Sequence, residues 1–389
     1  MNEATATRER LRRDVLKRMG AVGAEVEELL DYGRSRFADA NALPPLPLDD
    51  EPFVAVWREY AAEAAHLGVW PVLREKLIQL RFPIRAGIST EPIYRAATLQ
   101  GKLPETAQAS WTPVDPTGLK LILHETAAGA IPVLQTRNRE DFVGLVRILT
   151  LRNEPAPIPD SMGATMVAGF SNWDRIARYR RNWEEITRKR GGGNGEWPAE
   201  FARLIPCKHL YQDRFILLSE GDYSNVSADK VGMTEEEWRQ VSLRIRLEHE
   251  CAHYFTRRVF GSMQNAVHDE FLADYAGIVG AIGHYQFDWF MLFMGMEDFP
   301  CYRQGGRLEN YQTIPPPGAR VFTLLQRLIR KAAENLARWD NRIRASGPGN
   351  FPGQTALLAA LAGLHLEELA SEEADSLLAR AVKETATHV

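Results

Sequence analysis

The stretch His249-Glu250-Cys251-Ala252-His253 lies near the end of a long segment whose local signals specify helix. Thr234 is followed three residues later by Glu237, the pattern of a capping box, and Glu235 to Glu237 place carboxylates where they complement the positive helix end. The spacing predicts one helix over Glu235 to Val259. A four-residue step advances about 6 Å along a helix and returns to nearly the same face, so the imidazoles of His249 and His253 can meet on one metal ion. Glu250, next to the first histidine, can reach a water on that ion and take its proton.

Working outward, Asn265-Ala-Val-His-Asp-Glu-Phe-Leu-Ala-Asp274 opens a second predicted helix, Asp269 to Ile282. Glu270 and Asp274 are four residues apart and share a face with Ala273, Gly277 and Ala281, small residues that would let this helix approach the His249 helix. Phe271, Tyr275, Ile278 and Ile282 point towards a core. His268, Asp269 and Glu270 compete to be a third metal donor, and only Glu270 has a carboxylate four residues on.

The pair of motifs, HECAH at 249–253 and Glu270-x-x-x-Asp274, resembles the gluzincin clan of zinc metallopeptidases, the thermolysin-like zincins. The resemblance covers about residues 212–283. It implies a single zinc ion held by His249, His253 and Glu270, with Glu250 as general base and Asp274 orienting a ligand histidine by a hydrogen bond from behind. It also implies a zincin-like core, with a small sheet before the motif helix and a helical part after it, and Arg214 to Ser219 as the edge strand along the substrate. Asp269 stands where such enzymes usually have Asn, and no Gly-x-Met-Glu-Asn stretch precedes the motif, so N-terminal amine recognition is not implied. The oxyanion-stabilising group has no motif of its own; Tyr254, His284, Tyr302, Arg307 and Tyr311 are its candidates.

Around this centre the chain reads as α+β and predominantly helical. Apolar spacing from Thr5 to about Phe37, Phe53 to Ala65 and Val69 to Leu80 predicts helices. Leu119 to Leu123 and Ile131 to Leu134 flank a small-residue turn at Ala127 to Gly129, as in a hairpin, followed by a helix over Glu140 to Thr150. Ala164 to Phe170 and Arg214 to Ser219 read as further strands, with a charged helix over Asn172 to Lys189 between them. Gly191-Gly-Gly-Asn-Gly195 lacks the Lys-Ser/Thr of a phosphate loop and reads as a hinge. Helical spacing resumes over Tyr285 to Met296, over Arg320 to Ile343 and in two shorter segments after Gly353. The expected divisions are an N-terminal helical region 1–115, a sheet-bearing part 116–220, the metal-site helices 221–314 and a C-terminal helical region 315–389, the last beginning at Pro315-Pro-Pro-Gly318.

Composition removes several function classes. The 389 residues carry 47 Lys and Arg against 51 Asp and Glu, a net charge of −4, which argues against nucleic acid as a partner. Three separated cysteines, Cys207, Cys251 and Cys301, suit a reducing compartment. Met1 to Asp14 lacks the apolar core of a secretory signal, and the longest apolar runs, Phe287 to Met296 and Ala356 to Leu364, are too short to cross a bilayer. A cytoplasmic protein without a membrane partner is expected. Arg85, Tyr94, Arg95 and Lys102 could form an anion-binding surface, though a solvated face is the plainer reading. His66, His124, His209, His365 and His388 stand alone and read as structural or exposed, and Cys251 as a small buried filler.

The function expected from these residues is zinc-dependent hydrolysis of a peptide or small amide substrate, with no organic cofactor. Two histidines and a carboxylate also describe a non-haem iron oxygenase site. A non-enzymatic regulator with a structural metal is the third reading.

Overall fold

The computed structural model describes residues 3–33, 37, 43–103, 110–190, 197–261, 267–312, 316–347 and 353–386. The elements run α1 (Glu3–Arg18), α2 (Ala24–Tyr32), α3 (Phe53–Leu67), α4 (Val69–Lys76), α5 (Pro92–Gln100), β1 (Lys120–His124), β2 (Ile131–Thr136), α6 (Arg139–Thr150), β3 (Ala164–Ser171), α7 (Trp173–Lys189), α8 (Trp197–Leu204) and β4 (Gln212–Ser219). There follow α9 (Glu235–Phe260), α10 (Val267–Ile282), α11 (Phe287–Met294), α12 (Ala319–Ala345), α13 (Gln354–Ala362), α14 (Leu366–Leu369) and α15 (Ala374–Thr385). The fold is α+β and mostly helical with one small sheet. No described helix is long and apolar enough to cross a membrane.

The contacts group the residues into two units, Asp49–Gly221 and a second made of Met1–Leu48 with Asp222–Val389. The first 48 residues therefore belong with the helices of the motif and not with residues 49–115. Inside that second unit, Arg12 of α1 forms a buried ion pair with Glu367 of α14 and also donates to Leu30 O of α2, while Arg8 pairs with Glu368. Removing a buried guanidinium would leave a buried carboxylate without its counter-charge, so these contacts tie the two chain ends together. After Gly353 the structure has three helices where the spacing predicts two, the extra one being the single turn α14. The glycine cluster 191–195 lies outside the described residues, as does Pro315.

In the unit 49–221 the sheet order is β1-β2-β4-β3, with β2 and β4 parallel and the other pairs antiparallel. This corrects one expectation: Arg214 to Ser219 is not an edge strand but lies between β2 and β3. The reason is legible in hindsight, since Phe215-Ile-Leu-Leu218 is a continuous apolar run and all four side chains are buried, as a strand covered on both faces requires. Helices α3, α4 and α6 pack on it through Trp57, Trp70, Phe142 and Leu145. Asp213, a buried carboxylate at the start of β4, is held by Arg175 at 2.6 Å, Asn172 at 2.7 Å and the Trp57 indole at 2.8 Å.

The motif unit is organised by α9 and α10. Thr234 caps α9 through Glu237 N, and Glu237 returns a bond to Thr234 N, the capping box read from sequence. Helix α10 is buried at every position from Val267 to Val279, so it is the centre of this unit and not an amphipathic surface helix. Its close approach to α9 depends on Gly277, where an added Cβ would lie 2.8 Å from Ile245 O and 3.0 Å from Ile245 Cγ2. Gly277→Ala is expected to lower stability by about 1–3 kcal/mol, the helix-propensity gain being outweighed by a clash with backbone that cannot swing aside. Denaturant unfolding of the metal-free chain measures it.

Candidate metal centre

Three carboxylates, Asp269, Glu270 and Asp274, lie within the buried and largely apolar helix α10, and none is more than 6 % exposed. Buried charge is retained only where it is paired or coordinates an ion. All three face groups on α9 or the loops beside it. His249 and His253 sit four residues apart on α9, and their Nε2 atoms approach to 3.1 Å. Glu270 Oε2 is 3.4 Å from His249 Nε2, and Glu270 Oε1 is 3.5 Å from His253 Nε2.

This triangle is a test of metal fit. Donors held at about 2.0–2.1 Å by a tetrahedral zinc ion lie about 3.3–3.4 Å from one another. The Nε2–Nε2 distance of 3.1 Å and the approach of one Glu270 oxygen to each ring, at 3.4 and 3.5 Å, lie close to that edge, with the carboxylate straddling the two imidazoles. Two imidazole nitrogens and a carboxylate aimed at one point also repel unless a cation or proton lies among them, so the donor set fits a divalent ion in both geometry and charge. Among the described residues these three side chains form the only cluster able to hold a metal.

The opposite nitrogen of each imidazole is addressed by a carboxylate. His249 Nδ1 is 3.1 Å from Asp274 Oδ1 and 3.0 Å from the Tyr223 hydroxyl, which itself donates to Asp274 Oδ1 at 2.7 Å. His253 Nδ1 lies 3.2 Å from Asp269 Oδ2, within ion-pair distance though not aligned as a hydrogen bond. Carboxylates behind both rings favour the tautomers that carry the proton on Nδ1 and leave the Nε2 lone pairs free. Arg307 pairs with Asp274 and donates to the Tyr223 and Ser224 hydroxyls, at 2.8 and 3.1 Å. Tyr311 donates to Glu270 Oε2 at 2.8 Å. Glu250 is buried on α9 beside His249.

The structure thus brings together His249, His253 and Glu270, with Asp274 behind His249. Asp269 turns to His253 Nδ1 instead of joining the triangle, and His268 is a separate buried ring whose pKa burial pushes down to about 4. Of the five oxyanion candidates, Arg307 and Tyr311 reach the site. Tyr254 is buried beside Arg258, Tyr302 accepts from Glu309 N, and His284 contacts Gln286. Sequence reasoning missed Tyr223, which stands alone in a short turn 26 residues before His249 and carries no motif.

The metal-free cluster is a set of opposed titrations. Burial opposes charge on His249 and His253, but Asp274 and Glu270 for the first, and Asp269 and Glu270 for the second, prevail and raise both pKa values above the ordinary 6.5. Burial likewise opposes charge on Glu270, yet the two imidazoles hold it well below 4.5. The histidine contribution to stability is complete below pH 6.5 and is lost as pH rises through the raised folded values. The Glu270 contribution is complete above pH 4.5 and is lost as pH falls through the lowered one. In chelator-treated protein, the stability difference between the native chain and Glu270→Gln is therefore expected to be largest between pH 4.5 and 6.5 and to shrink towards alkaline pH, as thermal melts across that range will read. A difference that grows above pH 7 would contradict the assigned charges.

A family model described as "Family of unknown function (DUF7005)" matches residues 14–373. No curated protein and no solved structure matches the chain.

Proposed function

We propose that this chain, which belongs to the family of unknown function DUF7005, is a metal-dependent hydrolase that cleaves a peptide or other amide bond at the His249, His253 and Glu270 site. The observation that carries the reading is the approach of the two Nε2 atoms to 3.1 Å with one Glu270 oxygen 3.4 Å from the first and the other 3.5 Å from the second, and with Glu250 buried at the position after His249 on α9. Zinc bound there would polarise the scissile carbonyl and bring the pKa of an attacking water to about 7. The remaining chemistry belongs to the chain. Glu250 accepts the proton of the water and passes it to the leaving amine. Asp274 and Tyr223 hold the His249 ring, and Arg307 keeps Asp274 ionised by its adjacent charge against the effect of burial. Tyr311 fixes Glu270, and its phenol stays protonated because burial and the Glu270 carboxylate outweigh Arg307 and push its pKa up. Its single proton is engaged with Glu270 Oε2, so Tyr311 would donate to a developing oxyanion only by exchanging that bond for the new one.

A zincin-like arrangement of this unit is part of the same reading. It is supported by the order of the two motif helices, the close α9–α10 contact at Gly277 and the Asp274 bond behind His249. The donor set alone also suits ferrous iron, so the deciding experiment joins metal analysis of protein purified without added metal to a peptide-library digest. About one zinc per chain with chelator-sensitive cleavage is expected. Iron with oxygen consumption would replace the hydrolase by an oxygenase, and a bound metal with neither activity would leave a structural site.

A further inference from the structure

The unit 49–221 contains a cleft of about 850 Å³ that includes none of the metal-centre residues. Seven consecutive residues of β3, Thr165 to Ser171, line it. Successive strand residues face opposite sides of a sheet, so a cavity over one face would meet alternate residues. Contact with every residue in turn means that the cleft runs along the open edge of the strand. Among the described residues β3 has β4 on one side and no strand on the other, which leaves outward backbone N–H and C=O groups available to a ligand. A bulge between Ala168 and Phe170, with Gly169 at φ 76°, bends this edge where it borders the cleft.

The opposite wall comes from α5 and the end of α6. Arg95 and Arg152 are both exposed at the cleft, and among the described residues neither guanidinium has an acidic or hydrogen-bonding partner. A cation just beyond α6 would by itself be explained by the helix end, but Arg95 would not. Arg152 and Asn153 both occupy left-handed backbone, at φ 55° and 61°. Asn153 secures that geometry by accepting from the Tyr94 hydroxyl at 3.0 Å and donating to Gln79 O at 3.1 Å, which ties Arg152, Tyr94 and Gln79 to one frame.

Gln79 supplies the independent observation. It lines the cleft at 8 % exposure, its Nε2 is 3.5 Å from Ser171 O, and its Oε1 is buried without a partner. Turning the amide over would set oxygen against the Ser171 carbonyl, so the orphan acceptor is real and calls for a donor. Leu99, Leu149, Ile158 and Met162 provide apolar wall.

We propose that this cleft binds an amide-bearing organic acid. Its anionic group lies between Arg95 and Arg152, its amide meets the β3 edge beside Gln79, whose buried Oε1 gains a partner when the side chain turns to the ligand, and its apolar part rests on Leu99, Leu149, Ile158 and Met162. An acylated amino acid and the acidic end of a peptide share this chemistry. Calorimetric titration of the full chain with N-octanoylglutamate, with its neutral diamide and with an acetylated peptide of alternating leucine and glutamate tests it. Saturable binding of at least one acid is expected, with the diamide about fivefold or more weaker, and a similar loss in Arg95→Ala and in Arg152→Ala. Gln79→Leu should weaken binding as well, while raising the melting temperature of the ligand-free chain by removing the orphan. Preference for N-octanoylglutamate identifies a small-molecule site, and preference for the peptide a peptide site. The proposal is overturned by absence of saturable heat with either acid at millimolar concentration, by equal affinity for acid and diamide, or by full affinity in the Arg95→Ala Arg152→Ala double variant.

Discussion

Glu250→Gln is expected to lower hydrolysis by about 10²–10⁴-fold while the protein keeps its metal. The amide has nearly the shape of the carboxylate it replaces and occupies the same place on α9 beside His249, so neither helix packing nor the His249, His253 and Glu270 triangle is disturbed. What is lost is a base. The glutamine cannot accept a proton from the attacking water, nor return one to the leaving amine. The loss should fall on kcat at unchanged metal content, since the side chain is assigned to proton transfer and not to ligation. A Glu250→Gln chain that turns over at the native rate would remove Glu250 from the mechanism.

The second large effect is on the metal itself. His249→Ala is expected to reduce bound metal from about one ion per chain to a negligible level, because two remaining donors cannot close a three-ligand site. Asp274→Asn should keep the metal but weaken it by about 10–100-fold, since the His249 ring loses the carboxylate that fixes its tautomer while Nε2 survives. Stability should follow occupancy. A ligand present at 1,000 times its Kd stabilises the folded state by about 4.1 kcal/mol, so chelator should lower the melting temperature of the native chain and leave His249→Ala where it is. Equal metal in native and His249→Ala protein would disprove the ligand set. Comparing His249→Ala with Glu250→Gln also separates failure to bind metal from failure to use it.

Much of the centre was legible because its parts are local. The i,i+4 steps of His249 with His253 and of Glu270 with Asp274 depend only on helix geometry, and the Thr234 cap is complete within four residues. Gly277 was readable as a contact point for the same reason. Tyr223 was not readable together with Arg307 and Tyr311, because it comes from one short turn and they from another, and the place of both turns around α10 is set by packing and by no sequence period. Spacing favoured Glu270 as the acid on α10 that completes the triangle, since Asp274 follows it by four residues, but did not fix it. The rotation of the buried helix decides it, turning Glu270 to the two Nε2 atoms and Asp269 to His253 Nδ1.

The amino-acid order alone determined the helices and strands with strong periodicity, the hairpin β1–β2 and the alignment of donor side chains along each motif helix, since these follow from interactions within a few residues. Tertiary structure alone decided that β4 is an inner strand, that the first 48 residues join the motif helices, and that the β3 edge borders a cleft with two arginines that are unpaired among the described residues. Those outcomes depend on which distant segments bury one another's apolar surface and charge, and a short-range pattern carries no record of that choice.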